Sequence, residues 1–222
     1  MTAGRYLLWV DGVGGFLVCM GARITIGQAA PEGAADVPLY ADISRQHARL
    51  VRDSEGYVLE AQRPVRINGR PVDVALLHPG DLVTLGTSCR LRFSQPVPIS
   101  ASARLDIERP HRLPLALDGV LLMAESLVLG PEAQVHVPLP NALHSVILFR
   151  DKEGFGVRYP GRFWIDGREC RDRGRFAGRA SVAGTDFSLS LEPVEGSWVR
   201  QPQLGSGSRP GQRADDSGEG GS

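Results

Sequence analysis

Residues 42–93 recur at residues 140–191 without a gap. Arg52-Asp53 and Glu55-Gly56 return as Arg150-Asp151 and Glu153-Gly154. Ile67, Gly69 and Arg70 return as Ile165, Gly167 and Arg168, and Gly80, Gly86, Thr87 and Leu91 as Gly178, Gly184, Thr185 and Leu189. The displacement is 98 residues each time. Solenoid units run to about 20–50 residues, so this period is that of a whole domain. A chain of 222 residues has room for two such copies, and a domain of this size buries a core without metals or disulfides.

Strand signals recur at short intervals. Tyr6–Val10 and Phe16–Met20 flank Asp11-Gly12-Val13-Gly14-Gly15, a hairpin pattern. A glycine-rich stretch cradles phosphate when it leads into a helix; this one leads into a strand, so it reads as a turn. Arg23–Gly27, His47–Arg52, Tyr57–Leu59, Pro64–Ile67, Leu82–Leu85 and Cys89–Phe93 complete the first copy. In the second, a strand is expected over Arg112–Leu117, ending at Asp118-Gly119, then strands at Val120–Met123 and Ser126–Gly130. Many short strands punctuated by Gly, Pro and Asn mean an all-β sandwich or barrel. Gln95-Pro96-Val97-Pro98 is the natural break. The expected division is one domain over 5–96, a second over 102–195, and a Gly/Ser-rich tail over 196–222 too poor in apolar residues to order.

Lys+Arg and Asp+Glu both number 25, so the net charge is zero. That argues against bulk affinity for nucleic acid or membranes, which requires a basic excess. Lys152 is the single lysine. Codon bias accounts for the arginine excess; the sharper alternative is bidentate phosphate recognition. Three widely spaced cysteines, Cys19, Cys89 and Cys170, match neither a disulfide framework nor a zinc site. They fit reduced thiols in a cytoplasmic protein. No signal-peptide pattern opens the sequence, and no apolar run approaches the roughly 18 residues of a membrane span.

Four motifs fall in order: Ile24-Thr25-Ile26-Gly27, Ser44-Arg45-Gln46-His47, Ile67-Asn68-Gly69, and Leu77-His78-Pro79-Gly80 running to Gly86. Together they resemble the forkhead-associated (FHA) domain over residues 5–96, and the repeat extends the resemblance more weakly to 102–193. The resemblance implies an eleven-stranded β-sandwich whose loops at one end bind phosphothreonine peptides. It implies that Ser44 and Arg45 contact phosphate, that His47 buttresses the Ser44 loop, and that Asn68-Gly69 forms a turn. Gly27 ends the strand that carries the family's phosphate-gripping Arg, but here Gln28 follows it. The family's Ser-x-Asn-Gly-Thr loop reads Ala61-Gln62-Arg63-Pro64-Val65, with Arg63 where a peptide-orienting Asn is expected. The candidate phosphopeptide site is therefore Gln28, Ser44, Arg45, Gln62 and Arg63. One charge-assisted bond is missing, worth roughly 1.5–3 kcal/mol, unless Arg45 or Arg63 replaces it.

In the second copy Ala142-Leu143-His144-Ser145 stands at the phosphate loop and Pro131 follows Gly130. The hydroxyl and guanidinium are gone, while Asp166-Gly167 keeps the turn. This is the pattern of a degenerate FHA-like domain. The run Val146-Ile147-Leu148-Phe149 is continuously apolar, which predicts a strand covered on its second face, by the first domain or by a partner. No paired carboxylates, metal cluster, P-loop or Ser/His/Asp order supports an enzyme, a metal site or a cofactor. The chain reads as a phosphothreonine-dependent adaptor in Ser/Thr kinase signalling; the alternative is a phospho-independent scaffold of the same fold. Its partner and oligomeric state are open.

Overall fold

A computed structural model describes residues 4–30 and 35–194; the expected tail lies outside the described residues. The structure is all-β, with nine strands from each repeat in one hydrogen-bonded network. The first repeat contributes β1 (Arg5–Val10), β2 (Gly14–Cys19), β3 (Arg23–Gln28), β4 (Val37–Leu39), β5 (Ala48–Arg52), β6 (Tyr57–Ile67), β7 (Arg70–Leu76), β8 (Leu82–Leu85) and β9 (Cys89–Ser94). The second contributes β10 (Ala103–Ile107), β11 (Gly119–Leu122), β12 (Ser126–Gly130), β13 (Val137–Pro138), β14 (Val146–Asp151), β15 (Gly154–Ile165), β16 (Arg168–Phe176), β17 (Ala180–Ala183) and β18 (Ser188–Pro193).

The repeats are not closed on themselves. β9 pairs antiparallel with β10, placing Leu105 opposite Phe93. β18 pairs antiparallel with β1, placing Leu8 opposite Leu191. Phe93 and Leu191 are repeat equivalents, so the two junctions match. The short 95–102 connection explains the first: a strand joined by few residues pairs with its neighbour in sequence. Each repeat's opening hairpin thus completes the other repeat's sheet.

The cores follow this exchange. Ala103, Leu105, Val120 and Leu122 pack with Ile24, Leu50, Tyr57 and Phe93 of the first repeat. Leu8, Val10 and Phe16 pack with Leu129, Leu148, Phe163 and Leu191 of the second. Burying each such side chain contributes about 1.5–3 kcal/mol. β2 and β11 pair in parallel between the cores. Successive side chains of a strand point to opposite faces. So Leu17 and Cys19 enter the first core, and Phe16 and Val18 the second.

Two expectations are corrected. Arg112–Leu117 is not a strand but a linker with a short 3-10 turn at Pro114–Ala116; Leu115 and Ala116 have φ of 59° and 52°, incompatible with a ladder. Its Leu113 and Leu117 plug the first core. The first repeat does not fully cover the second face of the Val146–Phe149 strand: Val146 and Leu148 are buried, while Ile147 and Phe149 are only partly covered. β2 and β11, which run between the two cores, are buried on both faces. Their apolar runs obey the same rule, but nothing in a single repeat shows that two cores will flank them.

Candidate phosphopeptide site at the loop end of the first repeat

The site gathers where β3 ends, the 40–47 loop turns, and β6 passes beneath. Gly27 is required by contact: a Cβ there would lie 1.9 Å from the Arg45 carbonyl oxygen. Only glycine lets the Ser44-Arg45 backbone lie on the strand. The Gln28 N–H then donates to the Ser44 carbonyl at 3.0 Å. Gln28 Nε2 donates to the Ala41 carbonyl at 3.4 Å, so this side chain turns toward the loop backbone.

His47 holds the loop. It is 3% exposed. Its N–H donates to Ile26 at 2.8 Å, and its carbonyl accepts from the N–H groups of Gln62 and Arg63 at 3.0 and 3.1 Å. The ring Nδ1 accepts the Ser44 N–H at 3.2 Å. An accepting Nδ1 in a neutral ring leaves the proton on Nε2, which faces the Pro64 carbonyl at 3.1 Å. The Gly86 N–H, 3.0 Å from Nε2, also donates to Pro64 at 3.0 Å. One buried ring therefore joins the Ser44 loop, the Gln62–Pro64 stretch and the turn after β8.

Ser44 is half-buried, while Arg45 and Arg63 are exposed beside it. Arg63 Nη1 donates to the Gln62 carbonyl at 3.2 Å. A groove of about 760 Å³ continues from here, lined by Gln62, Arg63, Arg66, Val72 and Thr87. The five residues expected in the site thus converge around one loop end. Asn68 and Gly69 lie apart, in the turn joining β6 to β7, with φ of 50° and 83°. Asn68 Oδ1 accepts the Leu82 N–H at 3.0 Å, and its Nδ2 donates to Asp81 at 2.7 Å. These bonds fix the turn rather than reach the site.

The corresponding end of the second repeat carries carboxylates. The Leu143 N–H donates to Asp186, which also accepts the Tyr159 hydroxyl at 2.7 Å. Burial alone would raise the Asp186 carboxyl, but hydrogen bonds, that from Leu143 first, outweigh it and hold the group below its ordinary value. Ser145 Oγ donates to Glu132 at 2.6 Å, and this bond draws the Glu132 carboxyl down as well. Glu132 and Asp186 were not singled out from the sequence. The signal was there: Glu132 directly follows the Pro131 that replaces the gripping position. No group of three or more His, Cys, Asp or Glu among the described residues is placed to hold a metal ion.

A family model of the FHA domain matches residues 24–86. Among solved structures, the FHA-2 domain of the Mycobacterium tuberculosis ABC transporter Rv1747 is 31% identical, with 40% of this chain and 76% of that one covered and a TM-score of 0.28. The FHA structure of Rv0020c is 22% identical, covering 39% of this chain and 88% of that one, with a TM-score of 0.27. A third, solved in a structural and functional analysis of phosphothreonine-dependent FHA domain interactions, is 21% identical, covering 37% and 88%, with a TM-score of 0.24. No curated protein matches the chain. The chain belongs to the FHA family, a family of phosphoprotein-interaction modules rather than enzymes. Among the described residues no helix is long and apolar enough to cross a membrane.

Proposed function

We propose that the loop end of the first repeat binds a phosphothreonine-bearing segment of a partner protein in Ser/Thr kinase signalling, and that the chain acts as an adaptor without catalysis. The observation that carries this reading is the Ser44 loop, pinned by the buried His47 ring. A phosphate dianion needs donors fixed on a rigid frame. Ser44 and Arg45 supply a hydroxyl and a guanidinium there. Arg63 supplies a second cation in place of the missing arginine at Gln28. Gln62 and the groove beyond it receive the flanking peptide.

The second repeat takes no part in phosphate binding on this reading. It is a degenerate FHA-like unit whose Glu132 and Asp186 repel a phosphate. Its role is to complete the first repeat's core and to present surfaces of its own. The reading places the protein in the cytoplasm. Its three cysteines are free, and burial pushes the Cys89 thiol up to about 11 and Cys19 further, which suppresses thiolate chemistry.

A second reading rests on one observation: Gln28 Nε2 engages the Ala41 carbonyl rather than facing outward. A site closed in that way suits a phospho-independent scaffold. Titrating the full chain with a phosphothreonine peptide library and its unphosphorylated twin separates the two. Preference for the phosphorylated set, lost in Ser44→Ala and weakened by salt, supports the adaptor. Equal binding of both sets leaves only the scaffold.

A further inference from the structure

The outer face of the β14–β15–β16 sheet carries arginines that the first repeat lacks. In the first repeat Glu60 sits opposite Val74 and pairs with Arg49 on the neighbouring strand at 3.5 Å. That face is self-neutralised. At the matching ladder position of the second repeat, Arg158 sits directly opposite Arg173. Past the bulge, Arg162 sits directly opposite Arg171. All four are exposed. Like charges directly opposite on a sheet are destabilising, so the cross-strand pairing itself adds no stability.

Counter-ions do not explain them either. Arg175 is taken by Asp151, at 2.6 Å, and by Glu153, and Arg179 by Glu192 at 3.3 Å. Among the described residues no carboxylate pairs with Arg158, Arg162, Arg171 or Arg173. Two of them are also held in place. The Arg158 and Arg173 guanidinium carbons lie 5.4 and 4.7 Å from the centre of the Phe149 ring. A guanidinium stacked on a ring keeps its N–H edges for an anion and loses less freedom on binding.

Among the described residues β16 pairs with β15 alone, so its other edge is open to an added strand. Asp172, between Arg171 and Arg173, has a φ of 57° at the bulge, so it is the cross-strand pairing with Arg162 and Arg158, not simple alternation, that gathers the four arginines on one exposed face. From the stacked pair, the unpaired second pair and the open edge, we propose that this face docks an extended acidic segment of a partner protein. The chain's zero net charge favours such a local match over a polyanion such as nucleic acid, which draws on broad basic surface.

The test uses the full chain and a fluorescein-labelled peptide of alternating Glu and Ser, read by anisotropy. Its Gln-for-Glu twin and a single-stranded oligonucleotide are the comparison probes. The expected result is binding of the Glu peptide alone, weakened at least tenfold by Arg158→Gln with Arg173→Gln. Arg162→Gln with Arg171→Gln, which leaves the Phe149 stack intact, should weaken it too, and Ser44→Ala should not. Binding indifferent to both arginine pairs, or absent, overturns the proposal. So does tighter binding of the oligonucleotide.

Discussion

The two loop ends of this chain descend from the same stretch of sequence pattern and have reached opposite electrostatic states. In the first repeat, Gly27 admits the Arg45 carbonyl and His47 pins the Ser44 N–H. In the second, Gly130 persists, but the nearest atoms a Cβ there would meet are Ser145 Oγ and a Glu132 carboxylate oxygen, not a loop carbonyl. The N–H at the Arg45-equivalent position, Leu143, is capped by the Asp186 carboxylate. A carboxylate supplied by the protein takes a backbone donor at the end of the sheet where the first repeat presents its donors. The lesson is that a fold keeps its turn and strand devices when its ligand devices are replaced, because the two draw on different residues.

The comparison breaks most severely if the repeats are separated at their linker. Fragments 5–96 and 102–195 should each fail to give a cooperative melt, because one apolar face of each hairpin is buried in the core of the other fragment. Losing Leu8, Val10 and Phe16 alone removes about 1.5–3 kcal/mol each, against a typical total of 5–15 kcal/mol. Mixed, the fragments should recover a folded complex by near-UV circular dichroism. Two independently folded fragments would refute the exchange.

His47→Ala sharpens the comparison at the site. The substitution strips the Ser44 N–H of its acceptor and leaves the Pro64 carbonyl with the Gly86 N–H alone, at a cost of about 1–3 kcal/mol. Chemical denaturation should show that loss together with weakened phosphopeptide binding. An unchanged midpoint would remove His47 from its role.

Gln28→Arg asks how much of the family's charge the first repeat still lacks. Phosphothreonine affinity should rise about tenfold for each 1.4 kcal/mol gained. No gain would mean that Arg63 already occupies the position, or that the Gln28–Ala41 contact closes it.

The smallest effect concerns His136, which has no counterpart in the first repeat. There Asp36 accepts the Thr25 N–H at 2.9 Å; in the second repeat the His136 ring accepts the Val128 N–H at 3.0 Å. Burial, only partly opposed by hydrogen bonds at Ser102 and Val128, holds His136 below its ordinary value of 6.5. The unfolded chain therefore binds the proton more readily, and stability rises with pH through this range. The contribution is present above about pH 6.5 and is lost on acidification below it. Thermal melts from pH 7.5 to 5 should show a downward slope with acid that flattens in His136→Asn. Parallel slopes would contradict it.

Much of this was legible in the sequence because it rests on local chemistry. Asn68-Gly69 and Asp166-Gly167 announce hairpin turns through backbone preference alone, and all four residues have positive φ. The convergence of Ser44, His47 and Gln62 followed from motif order. The hairpin exchange was not legible. The first hairpin of each repeat presents the same alternation of apolar residues to whichever core receives it, and only the short connection after β9 selects the partner. The carboxylates at the second loop end were missed for a related reason. Asp186 lies far along the chain from Leu143, and proximity across a loop end is a property of the fold.

On the proposed function one loop end, and only one, binds phosphothreonine. Isothermal titration of the full chain with a selected phosphothreonine peptide tests it through stoichiometry. The expected result is one site per chain, abolished by Ser44→Ala with Arg45→Ala and untouched by Ala142→Gly with Leu143→Ala. Two sites per chain, or a single site lost only with the second-repeat substitutions, would contradict it.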